Sequence, residues 1–150
     1  MEYIFKLDSG NSVDLITHCN EILSKHQTDI YVGTDSINSK NSTIYCIVVA
    51  FRSNKSGVHF IYKKINIQKI RDKFNRLWKE VELSITVAEY LRKHNINVDT
   101  IELDLNSDKK WGSHGVVGAG VGYCSGLGYK TNIKPDEQMS TRAADHILTH

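Results

Sequence analysis

Apolar positions in the first third of the chain change from helical to alternating spacing, and the change sets the elements. In SVDLITHCNEILSKH, residues 12–26, Ile16, Cys19, Ile22 and Leu23 recur at intervals of three and four, which predicts a helix with Asn11 or Ser12 as its N-cap. Three strands are expected next, at about 29–34, 43–51 and 58–65. TIYCIVVAF and VHFIYKKI are rich in β-branched and aromatic residues and flank SNKSG, a hairpin turn. Helical spacing returns in RLWKEVELSITVAEYLRKH, over roughly 75–94, and alternation in NVDTIELDL, residues 97–105.

The stretch from 112 to 128 carries Gly112, Gly115, Gly118, Gly120, Gly122, Gly126 and Gly128. Gly118, Gly122 and Gly126 share one i, i+4 row, so we expect a helix capped by Ser113 that approaches its neighbour along a glycine face. The spacing is not the GxGxxG of a phosphate-cradling loop. Tyr129 to Ile133 reads as a last short strand ended by Pro135, and Glu137 to Leu148 as an amphipathic helix. The order of helix, three strands, helix, strand, helix, strand and helix predicts an α/β fold with a mixed sheet covered on both faces. With no repeat or linker, residues 1–150 are expected to form a single domain, about 1–28 being an N-terminal helical extension.

Composition narrows the class. A net charge of +2 makes the chain no polycation, so attraction to nucleic acid has to come from local clustering. Cys19, Cys46 and Cys124 are far apart with no CxxC spacing, which argues against a disulfide framework or zinc site and suits a reducing compartment. MEYIFKLDSGN lacks the pattern of a signal peptide, and no run approaches the ~20 apolar residues of a membrane span. The expected location is cytoplasmic.

The acids carry the chemistry. Asp35 follows the strand-like IYVGT, and the turn formers from Asp35 to Ser42 allow two readings, a hairpin loop or a metal ligand. On the first strand Asp35 shares a face with Gly33 and Tyr31; on the fourth, Asp104 shares one with Glu102 and Asn106. If those strands are adjacent and parallel, both carboxylates reach the same end of the sheet, where their repulsion calls for a cation. On the long helix Leu77, Val81, Ser84, Ala88 and Leu91 form a stripe; Glu80 lies about 60° from its centre and Glu82 about 140°. The small Ser84, one turn from Glu80, is expected to leave room for a site. Asp145, in STRAADHIL, is a fourth candidate, and Glu102, Asn106 and Asp108 are lesser ones.

Basic residues cluster nearby. Lys63, Lys64, Lys69, Arg71, Lys73, Arg76 and Lys79 are interrupted by one acid, Asp72, and Lys109-Lys110-Trp111 follows Asp104. The first run is either a phosphate-holding surface, with Trp78 or Trp111 as a stacking face, or a solvated approach to the helix. We take Lys73, Arg76, Lys109 and Lys110 as the expected nucleic-acid contacts. His114 and His146 are read either as aids to proton transfer, His146 adjoining Asp145, or as surface residues, and a surface place is expected for both.

Taken in order, VGTDS, RLWKEVELS, IELDLN, the glycine-rich stretch up to Gly128, and KPDE followed by RAADHI resemble the YkuK family of ribonuclease H-like proteins, from about Tyr31 to Leu148. The resemblance implies a five-stranded mixed sheet flanked by helices and a carboxylate cluster that binds two divalent metals. Carried onto this chain, Asp35, Glu80, Asp104 and Asp145 would be the ligands. An all-oxygen set suits two Mg²⁺ or Mn²⁺ ions rather than zinc. The implied activity is hydrolysis of phosphodiester bonds in RNA, DNA or a hybrid; the alternative is a nucleic-acid-binding module that keeps the fold without turnover.

Overall fold

Strand pairing fixes the architecture. A computed structural model of the chain describes residues 1–54, 57–106, 114–134 and 138–149, and within them all side chains but those of Leu105, Asn106, His114 and Lys134. Expectations resting on Asp108, Lys109, Lys110, Trp111, Ser113, Pro135 and Glu137 lie outside the described residues. The long central strand is β3 (Thr28–Asn38), with two short strands before it, β1 (Ile4–Lys6) and β2 (Ser12–Asp14). β3 runs antiparallel to β4 (Ser42–Ser53), from Thr28↔Ser53 to Asn38↔Thr43. It runs parallel to β6 (Thr100–Asn106), from Tyr31↔Thr100 to Thr34↔Leu103. β5 (Gly57–Gln68) extends the antiparallel side and β7 (Lys130–Lys134) the parallel side, giving the order β2-β1-β5-β4-β3-β6-β7.

The sheet therefore has seven strands, not five, and the N-terminal extension is not only helical. Its β1 and β2 are a hairpin joined to β5 through Lys6↔Tyr62. Three residues are too few for alternation to be legible, and the hairpin is stable only against a preformed edge. Helix α1 (Leu15–Lys25) consequently starts later than expected. Its N-cap is Asp14, which accepts the Thr17 N–H at 3.0 Å, whereas Ser12 is paired with Lys6.

Helix α2 (Lys73–Lys93) is capped by Asp72, which accepts the Asn75 N–H at 2.8 Å. The acid that interrupts the basic run is thus the helix start. Together with α3 (His114–Gly126), α1 and α2 cover one face of the sheet. Leu15, Cys19, Leu77, Val81, Val116 and Cys124 join Ile30, Val32, Tyr45, Ile47, Val49 and Phe51 in the larger core. α4 (Ser140–Thr149) covers the other face, seating Ala144 against Cys46 and Val48. Among the described residues no helix is long and apolar enough to cross a membrane.

Two expectations about small residues are corrected. The α3 row Gly118, Gly122 and Gly126 has no neighbour among the described residues within 4 Å of an added Cβ. Contact is made instead by the neighbouring row of Val116, Gly120 and Cys124, all buried. The packing glycine is Gly33 on β3, where an added Cβ would stand 2.2 Å from Ser140 Oγ and 2.9 Å from Thr141 Cγ2. That missing side chain lets the first turn of α4 lie on the strand. Gly33→Ala is expected to force α4 outward and destabilise the fold by about 1–3 kcal/mol, the usual cost of overpacking. Urea unfolding checks this, and an unchanged midpoint would contradict the close seat.

Candidate active site

Asp35 is not a turn residue. It lies within the ladder opposite Cys46, and β3 continues to Asn38 before the chain reverses, with Ser39 N–H donating to Ser42 O at 2.8 Å. Pairing with β4 has overridden the turn formers that follow Thr34. Asp35 and Asp104 each come one residue after the Thr34↔Leu103 pair, so adjacent parallel strands bring the two carboxyl groups to one level.

The consequence is electrostatic. Burial, and secondly the Asp104 carboxylate, push Asp35 up to about 7; a hydrogen bond with Asp104 and the charge of Asp145 add to this. The Ser36 N–H, donating to Asp35 Oδ1 at 2.8 Å, pulls the other way. Glu80, 3% exposed on α2, is raised well above the carboxylate range by burial, then by Asp35 and Asp104. Ser36 Oγ donates to Glu80 Oε2, while Arg76 Nη1 donates to Ser36 Oγ at 2.8 Å. The guanidinium expected at a phosphate therefore turns inward, onto a serine that bridges it to the acid. Lys73 is exposed on the first turn of α2.

The helical phase inferred for α2 matches the packing, with Glu80 buried and Glu82 exposed. Ser84, however, leaves no vacancy: its Oγ is 2.7 Å from Thr34 Oγ1, a hydrogen bond that ties α2 to β3. Alternation along β3 thus sends Thr34 and Ser36 to α2, and Gly33 and Asp35 to the other side.

Glu102 has a different task from its neighbours. Fully buried, it accepts the Met139 N–H at 2.8 Å, the Ser140 N–H at 2.7 Å and Ser140 Oγ–H at 2.6 Å. A carboxylate on orphan amides at a helix N-terminus is well placed for the helix dipole. Gln138 reinforces the junction, its Nε2 donating to Leu103 O at 2.7 Å and Asn132 O at 2.9 Å. These bonds set where α4 begins, and so where Asp145 stands, exposed but close enough to raise Asp35. Alternation placed Glu102 on the face of Asp104; no local signal tells that a helix N-terminus would meet it. His146 is exposed, and the side chain of His114 is outside the described residues.

Hard carboxylate oxygens suit Mg²⁺ or Mn²⁺ in kind. Glu80 Oε1, buried with no hydrogen-bond partner among the described residues, is the kind of orphan a cation would satisfy. The spacing is not that of a formed site. Among the described residues no three His, Cys, Asp or Glu side chains stand ready to hold one ion. The crevice bordered by Thr34, Glu80, Ser84, Leu103 and Asp104 also has no space for a water-sized sphere. The four acids expected as ligands are thus placed at one end of the sheet, with Asp35 and Glu80 buried and Asp145 exposed.

A family model described as Ribonuclease H-like, that of the YkuK family, matches residues 12–149. The chain belongs to this ribonuclease H-like family, and its mixed α/β sheet with helices on both faces accords with the membership. Neither a curated protein nor a solved structure gives a match.

The raised acids make stability depend on pH in a defined direction. Asp35 and Glu80 hold protons in the fold that the unfolded chain releases near pH 4, so the native state binds more protons and stability falls as pH rises above about 4, for Asp35 until about 7. Each such proton contributes a slope of at most about 1.4 kcal/mol per pH unit. In EDTA, Asp35→Asn is expected to flatten the decline and to be about 1 kcal/mol more stable than wild type at pH 8, the gain typical of a relieved functional site. At pH 4 the two should be nearly equal. Denaturant titrations at both pH values measure this; parallel profiles would show that Asp35 ionises as freely folded as unfolded.

Proposed function

We propose that the protein is a metal-dependent nuclease that hydrolyses phosphodiester bonds in RNA or DNA. The observation that carries the reading is the convergence of Asp35 and Asp104 from adjacent parallel strands with the buried Glu80, whose Oε1 lacks a hydrogen bond among the described residues. Family membership supports a nuclease-type or nucleic-acid-related role. Asp35, Glu80, Asp104 and Asp145 would hold two Mg²⁺ or Mn²⁺ ions; a bound pair supplies an activated water and stabilises the leaving oxygen. Glu102 positions α4 from below the site. Arg76 and Ser36 orient Glu80, and Lys73, with Lys109 and Lys110, would hold the nucleic-acid backbone of a cytoplasmic substrate.

A second reading rests on the closed crevice and the lack of a three-ligand set among the described residues. On it, the chain binds nucleic acid without cutting. Labelled single-stranded, duplex and hybrid substrates, incubated with Mg²⁺, Mn²⁺ or EDTA, separate the two. Cleavage with a divalent ion and none in EDTA is expected. Glu80→Gln should lower it by roughly 100-fold or more, at least the loss seen when groups supporting a metal are removed, and Glu82→Gln should leave it nearly intact. Retention of substrate without cleavage under every condition would establish the binding module instead.

A further inference from the structure

The other end of the sheet carries a cluster that the carboxylates do not explain. His18 on α1 and His59 on β5 are 41 residues apart in sequence, yet their Nε2 atoms lie 2.9 Å apart. Phe51 on β4 is paired with His59 and stands with its ring centroid 5.8 Å from each imidazole. Glu21, Lys25 and His26 help to line the same cavity of about 260 Å³. In the ladder His59 is level with Phe51 and Ile30, five positions from Asp35. At about 3.4 Å per residue the two ends are roughly 17 Å apart.

Two imidazoles meeting nitrogen to nitrogen share one hydrogen: one ring donates, and the other presents a lone pair. Burial holds both histidines below their ordinary pKa, with His59 also acting on His18. Neutral imidazoles are the form that binds metal. Both rings remain accessible, His59 being exposed and His18 half-buried. With Zn–N bonds of about 2.0–2.1 Å, two ligands of a tetrahedral ion lie roughly 3.4 Å apart. The rings therefore need to part by about half an ångström to exchange the shared hydrogen for an ion.

We propose that His18 and His59 form a bis-imidazole site for a borderline divalent transition ion such as Zn²⁺, separate from the carboxylate centre, which clamps α1 to β5. Among the described residues no three ligands already stand together, so water from the cavity fills the remaining positions. Glu21 is one turn from His18 on the same helix face. Its ion pair with Lys25, 3.9 Å between exposed side chains, is a weak restraint on its turning toward the ion. The site differs in kind from the carboxylates: imidazole selects zinc, nickel or copper, and Mg²⁺ keeps to oxygen.

Titration calorimetry with zinc chloride, in excess Mg²⁺, tests this on the full chain. Wild type and Asp35→Asn are expected to bind one Zn²⁺ per chain with similar affinity. His59→Ala and His18→Ala should each weaken binding at least tenfold, and zinc should raise the melting temperature of wild type but not of His59→Ala. His59→Gln, which keeps a hydrogen-bonding side chain beside His18, should behave as His59→Ala does and serves if the alanine variant fails to fold. The proposal is overturned if zinc affinity survives in both His59 variants. It is equally overturned if zinc binding is lost in Asp35→Asn alone, which would place the ion on the carboxylates. Because zinc binding is read without any substrate, its failure leaves the nuclease reading untouched, and loss of cleavage leaves the histidine site untouched.

Discussion

Two carboxyl groups on neighbouring strands, one buried and the other half-buried, cannot share a charge state freely. At about 4 Å and an effective dielectric of 20, two such charges repel by roughly 4 kcal/mol, a large fraction of the 5–15 kcal/mol that separates folded from unfolded domains. The parallel pairing of β3 with β6 imposes this on Asp35 and Asp104, and Glu80 arrives from α2 into the same field. Protons or cations have to compensate. The chain has placed acids where an apolar residue would cost nothing, and that expense sets this end of the sheet apart from the rest of the fold.

The surroundings are arranged so that these acids do not collapse onto the rest of the polar framework. On the α2 side, Thr34 binds Ser84, and Ser36 links Glu80 to Arg76. On the α4 side, Glu102 is saturated by the amides and hydroxyl of Met139 and Ser140. Three acids within three residues' height of the sheet thus have separate roles: Glu102 anchors a helix, and Asp35 and Asp104 face each other across a hydrogen bond that keeps a proton on Asp35. The structural carboxylate is the most buried, because its charge is met by three donors.

Much of this was legible where elements are long. The stripe through Leu77, Val81 and Ala88 separated Glu80 from Glu82 because twenty-one residues of α2 define a phase. The level of Asp35 with Asp104 followed from strand alternation and one assumption of adjacency. What was not legible depends on partners distant in sequence. Residues 4–6 and 12–14 pair only because β5 offers an edge. The stretch after Thr34 extends because β4 pairs with it to Asn38. Ser84 and Gly33 exchanged meanings: the serine was expected to leave room and is a fastener, while the glycine clears room for a helix. On α3 the exposed glycine row has no packing partner among the described residues, and nothing in them explains its composition.

The anchoring of α4 has a consequence for the order of assembly. Its floor is Gly33 on β3 and its tether is Glu102 on β6, strands whose residues are nearly seventy positions apart and meet only through a crossover by way of α2. Both supports stand together only once that parallel pairing has closed, and closing so long a loop is entropically costly. The full seat of the C-terminal helix therefore depends on a completed pairing of β3 with β6, as a latch depends on its frame. Asp145 rides on that latch, so its charge reaches Asp35 only where α4 is seated on both strands.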